Sequence, residues 1–150
     1  MKKFMLALLG ITLAGGAAAQ MKPEDAIKYR QSAYSAMSWS MGRIKTNVEG
    51  TYNKDEVIKA ANVIQSLANS GMGALYLPGT DKGKGWEETR VKPEMFTNKE
   101  LVGKVATDFN REANEMAKVA AAGDAAAAKA QFSKLSETCK SCHDDFKIKK

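Results

Sequence analysis

Histidine and cysteine are nearly absent from this chain of 150 residues: there is one histidine, His143, and there are two cysteines, Cys139 and Cys142. A single histidine leaves no evident acid–base pair of the kind that general acid–base catalysis uses. Two cysteines allow at most one structural disulfide. Long apolar runs are missing after residue 19, so no second segment approaches the length of a membrane span. No convincing strand pattern, internal repeat or clustered basic stripe is present. The net charge of +6 is therefore too dispersed to read as a nucleic-acid surface.

What the chain does have is concentrated. Both cysteines and the histidine fall in one pentapeptide, Cys139-Lys140-Ser141-Cys142-His143. A C-x-x-C-H run is the attachment signature of a c-type haem. Each thiol adds across one vinyl group of the porphyrin, two intervening residues set the sulfur separation, and the next residue offers a ring nitrogen to the iron. A thioredoxin-like pair would want a βαβ context, which is not visible. A structural zinc site normally takes four ligands, and the motif offers three. A plain disulfide stays open as the bland alternative. The motif predicts one covalent haem c, bound through Cys139 and Cys142, with His143 as the iron ligand.

The first nineteen residues read as a secretory signal. Lys2 and Lys3 precede an apolar run from Phe4 to Gly16, and Ala17-Ala18-Ala19 supplies a cleavage site. The alternative is a retained membrane anchor. Cleavage takes away two lysines and no acid, leaving residues 20–150 with 21 basic and 17 acidic side chains, a net charge of +4. One domain of that size can bury a core. Export agrees with haem attachment, which occurs on the exported side of the membrane, and predicts a soluble periplasmic product. The mild positive balance allows docking to an acidic redox partner.

Four helical segments follow. The first opens at Pro23 with Glu24 and Asp25 in its first turn, carries the stripe Ile27, Arg30, Tyr34, Met37, Met41, Ile44 and Val48, and ends near Gly50. The second opens at Asn53 with Glu56 in capping-box register, carries the stripe Val57, Ala60, Ile64 and Leu67, and stops at Gly71 and Gly73. Residues 75–96 have turn chemistry and no helical period; Trp86 within them is expected to pack on the bundle. The third helix is predicted from Thr97 with Glu100, along Leu101, Val105, Phe109, Met116 and Val119, to Gly123. Glu112 interrupts that stripe, and Ala113 can take its place. The fourth starts at Asp124 and follows Ala128, Phe132, Leu135, Cys139, Cys142 and Phe146. This predicts an all-α, antiparallel up-down four-helix bundle with the haem in its core.

A C-terminal haem motif on such a bundle resembles the cytochromes c′, the class II c-type cytochromes. Three stretches carry the resemblance: Cys139 to Lys147, Lys22 to Ser32, and Lys92-Pro93-Glu94. The resemblance implies a five-coordinate haem on His143, a distal pocket that admits NO and CO, and homodimers through the first two helices. It puts Arg30 and Gln31 at the haem propionates, Tyr34 over the distal face and Lys147 by the proximal pocket. Thr89 and Arg90 fall at the haem edge. Many relatives carry arginine where Lys147 stands, and a lysine is a point charge and not a fork.

The residues themselves leave room for other roles. A charge at Arg30 on an apolar stripe is costly unless paired, and a propionate, a glutamate or snorkelling to solvent would each serve. Tyr34 could be ordinary core packing. With no second histidine, the remaining sixth ligand is methionine. Related six-coordinate class II cytochromes use one on the first helix, which makes Met37 the alternative ligand, with Met41 one turn further on. A gas-binding haem protein is the primary reading, a His/Met electron carrier the second. A haem enzyme is the least supported, for lack of a distal acid–base pair.

Overall fold

The computed structural model describes residues 21–149, and the expected signal, residues 1–19, lies outside them. Four long helices dominate: α1 (Pro23–Glu49), α2 (Lys54–Ala68), α4 (Lys99–Ala122) and α5 (Ala125–Phe146); α3 (Glu94–Thr97) is a single turn. Pro23 starts α1 where its missing N–H costs nothing, and Glu24 and Asp25 meet the positive end of the helix dipole. Asp124 caps α5 by accepting from the Ala127 N–H at 2.6 Å. Gly123 ends α4 with φ of +85°, a left-handed conformation that costs glycine little.

The helices pack in a ring, α1 on α2, α2 on α4, α4 on α5 and α5 on α1, the last contact being much less extensive than the other three. The continuous apolar core occupies one half of that ring. It takes Ile44 from α1, Val57 to Ala68 from α2, Ala113 to Ala120 from α4, and Ala128 and Leu135 from α5. Small residues on α4 and α5 let those helices approach closely, as the alanine-rich sequence implies. Leu135 is the last member on α5, one helical turn before Cys139. Ile27, Met37, Val105 and Phe146 are buried in the other half without joining that core.

Several boundaries differ from the sequence reading. The third long helix begins at Lys99, not at Thr97, because Asn98 is its cap and accepts from the Leu101 N–H at 3.2 Å. Thr97 instead closes the turn α3, so part of the 75–96 stretch is helical. Asn53 caps α2 as expected, but the Glu56 carboxylate pairs with Arg43 of α1. The capping box is thus half realised, because an arginine on the neighbouring helix competes for its acid. Helix α2 ends at Ala68, before Gly71, which takes a left-handed φ of +78° beyond it. Glu112 is drawn into the α4–α5 interface by the buried Gln131 amide, which donates to it at 2.7 Å. Trp86 lies on α1, its indole N–H donating to Ser32 Oγ at 2.8 Å, yet 67% of it is exposed. It is tethered to the bundle without being buried in it.

The long loop lies tight against α1. A Cβ on Gly85 would stand 2.6 Å from Gln31 Oε1, 2.8 Å from the Lys28 backbone nitrogen and 2.9 Å from Ile27 Cγ2. Gly42, on the open face of α1, has nothing within 4 Å of such an atom. Gly85→Ala should therefore cost about 1–3 kcal/mol in urea unfolding, as overpacking does. Gly42→Ala should gain about 0.5–1 kcal/mol by helix propensity. Equal effects of the two substitutions would refute this loop packing.

Candidate haem site

Helix α5 carries Cys139 and Cys142 one turn apart, both half-buried and not joined in a disulfide. Burial pushes both thiols above the usual cysteine range, so they remain protonated at neutral pH. Among the described residues no three His, Cys, Asp or Glu side chains gather as a metal-ion site. Two inward thiols beside one histidine, on the side where α1 and α5 pack least, fit a flat group attached to α5.

His143 stands on the open side of α5. Crowding by the protein, with the positive charges of Lys147 and Arg90, pushes its ring below the ordinary imidazole range. The ring is neutral at pH 7 and keeps a lone pair for a metal. Arg90, His143, Asp144 and Lys147 line one cavity of about 260 Å³. Lys147 is the first residue past the helix, and its N–H donates to the His143 carbonyl at 3.1 Å. Burial and Arg90 lower the Lys147 ammonium from its usual range.

The end of α5 is fastened by a segment of the long loop. Lys92 N–H donates to the Phe146 carbonyl at 2.9 Å, and Ile148 N–H to the Arg90 carbonyl at 2.8 Å. The Lys92 ammonium donates to the carbonyls of Asp144 and Asp145, at 2.9 and 3.1 Å. It satisfies orphan carbonyls at the negative end of the helix. In the sequence Lys92 stands only in a family-like stretch, and nothing in its spacing points to a helix 52 residues away.

Opposite α5, α1 presents Arg30, Gln31, Tyr34 and Met37. Arg30 is 3% exposed, and all its hydrogen-bond partners are neutral oxygens. One terminal nitrogen donates to Thr80 Oγ1 at 2.7 Å and more weakly to the Leu75 carbonyl; the other donates to Thr89 Oγ1 at 2.7 Å and to the Thr80 carbonyl. Arg30 neither snorkels nor pairs with a glutamate. Burial holds its basicity below the usual arginine range. Gln31 holds the next stretch of loop, donating to the Glu87 carbonyl at 3.0 Å and accepting from the Trp86 N–H at 2.8 Å. Met37 is buried one turn past Tyr34, while Met41 packs on the main core.

Tyr34 departs from a core residue. It is 40% exposed, but its hydroxyl end is crowded and lies 2.9 Å from the hydroxyl of Tyr76. Burial and Tyr76 push the Tyr34 phenol far above the ordinary tyrosine range, and burial raises Tyr76 too. Both hydroxyls lie close enough to Cys142 that a thiolate there would raise them, which puts the pair on the side of the attachment helix. Tyr76 was missed by the sequence reading because it lies in the loop, outside any helical period.

Arg30→Ala should leave the buried Thr80 hydroxyl and carbonyl without their donor, at a cost of about 1–3 kcal/mol. Amide exchange over residues 76–89 should accelerate, and Arg30→Lys should restore little because a point charge cannot replace the fork. Unchanged exchange in that stretch would contradict the clamp.

The model of the family described as Cytochrome C′ matches residues 25–147. A cytochrome c′ of Rhodocyclus tenuis is 60% identical over 129 residues, covering 85% of this chain and 97% of that protein. A cytochrome c′ of Allochromatium vinosum is 52% identical over 143 residues, covering 95% and 93%. A solved cytochrome c′ described as having an unusual ligand-controlled dimer dissociation superposes with a TM-score of 0.84 at 53% identity, over 87% of this chain and all of that one. A ferrous variant of the Alcaligenes xylosoxidans protein with bound NO superposes at 0.75 with 30% identity, over 86% and 98%. The chain belongs to the cytochrome c′ family, and its cofactor is a single covalent haem c.

Proposed function

We propose that this chain is a periplasmic haem protein that holds five-coordinate iron through His143, binds NO and CO on the opposite side, and exchanges electrons with a periplasmic partner. The observation that carries this reading is the Tyr34–Tyr76 hydroxyl pair, which α1 and the loop turn toward Cys142. The hydroxyl that α1 offers there is held by a partner from the loop, whereas the Met37 thioether one turn on is buried. The bound NO of the Alcaligenes xylosoxidans variant supports the choice of ligand.

Haem iron supplies the ligand-binding and one-electron chemistry. The chain supplies attachment through Cys139 and Cys142 and a neutral imidazole at His143. Arg30 is a buried cation without a carboxylate partner, which suits a haem propionate. Gln31 and Thr89 stand at the same loop edge and would complete that contact, whereas Arg90 lies by His143. Lys147 and Arg90 keep the proximal side positive, which disfavours protonation of His143. The role we read for the chain is ligand binding and electron exchange.

Residues 1–19 would direct export, consistent with haem attachment outside the cytoplasm. The dimer reading places a second copy against α1 and α2. Trp39 on α1 is 63% exposed with the Arg43 guanidinium 4.7 Å over its ring, an amphipathic surface of the type found at interfaces.

Met37 is the specific observation behind the second reading, a six-coordinate electron carrier, because it is buried close to Tyr34. The two separate in the reduced, haem-loaded protein. The wild type should be high-spin and should shift on CO, and Met37→Ala should leave both features unchanged. A low-spin wild type that ignores CO, converted to high-spin by Met37→Ala, would establish the carrier instead.

A further inference from the structure

Tyr76 belongs to no motif, yet among the described residues it is the one side chain bonded to the Tyr34 hydroxyl. Two hydroxyls 2.9 Å apart share one proton in one hydrogen bond, and distance does not say whose. The surroundings do. The Arg30 guanidinium lies 5.0 Å over the Tyr76 ring. A cation there stabilises negative charge on Tyr76 and makes it the better donor of the two. The ring is also well held. Arg30 bonds the carbonyl of Leu75, the residue before it, and Phe96 packs against it with centroids 6.2 Å apart and planes at 60°.

We propose that Tyr76 is a positioning residue of the distal pocket: its hydroxyl donates to Tyr34 and so leaves Tyr34's own proton free for a diatomic ligand. The inference rests on the reading of Tyr34 as the distal residue. Its consequence is chemical. If Tyr34 donated to Tyr76, its proton would be used within the protein and only lone pairs would remain for a ligand. With Tyr76 as donor, the pocket offers a hydrogen-bond donor, and the loop that Arg30 clamps sets that polarity from outside α1. Burial keeps both phenols protonated, so the arrangement persists across the physiological pH range.

The test uses the haem-loaded protein, reduced and bound to CO, read by the infrared C–O stretch. Donation from Tyr34 lowers that frequency. Tyr76→Phe keeps the ring against Phe96 and beneath Arg30 but removes the bond that orients the Tyr34 hydroxyl and strengthens it as a donor, so it should raise the frequency part of the way toward the value of Tyr34→Phe, and the double variant should match Tyr34→Phe alone. A wild-type frequency in Tyr76→Phe, or an equal shift in the Tyr34→Phe background, would overturn the proposal. The same four proteins unfolded in urea give a second reading. The pair predicts coupling of about three- to tenfold in the unfolding constant, the range of one net hydrogen bond. Additive effects would overturn it. If the wild type binds no CO, the gas-binding reading falls and the distal role of Tyr76 falls with it. CO binding with an unshifted stretch removes Tyr76 alone.

Discussion

The apolar core of this bundle ends at Leu135, and the arrangement of everything beyond it follows from that boundary. Below it, alanines, Ile44, Val57, Ile64 and Met116 interlock in the ordinary manner of packed helices. Above it stand a buried arginine, two half-buried thiols and two raised phenols. Such groups do not build an apolar core. A covalent haem suits this half, with vinyl groups for the two thiols and a flat apolar body for the loosely packed side between α1 and α5.

The long loop is the second half of that arrangement. Arg30 and Gln31 on α1 hold its first part, and Lys92 binds its last part to the carbonyl end of α5. One connection therefore ties the helix bearing Tyr34 to the helix bearing His143. Its length reflects this double attachment. It also explains why glycine is needed at Gly85, where the backbone runs against α1. A loop that fixes both of these helices is a structural part of the candidate site.

Much of this was legible in the sequence because helical period and haem chemistry are local signals. The stripe of α1 predicted the burial of Ile27, Arg30, Met37 and Ile44, and Asp124 and Gly123 marked the α4–α5 turn correctly. The C-x-x-C-H motif identified the cofactor, which membership of the family supports. What failed was competition between neighbours. Asn98 displaced Thr97 as a cap, and Arg43 took the acid that would have closed the capping box at Asn53. What was invisible was long-range polar pairing. Tyr34 meets Tyr76 at a separation of 42 residues, and Arg30 meets Thr80 at 50. No periodicity encodes such distances, and a loop tyrosine looks like any other.

The central claim is that the haem completes one half of the bundle while the other half packs without it. Amide hydrogen exchange compared between the haem-loaded protein and a Cys139→Ser, Cys142→Ser variant lacking the haem tests it most directly. The account predicts that protection falls in the first half of α1, across residues 76–96 and after Cys139, while α2 and the alanine-rich turn between α4 and α5 keep theirs. A uniform loss over all four helices, or no loss near Tyr34 and Arg30, would contradict it.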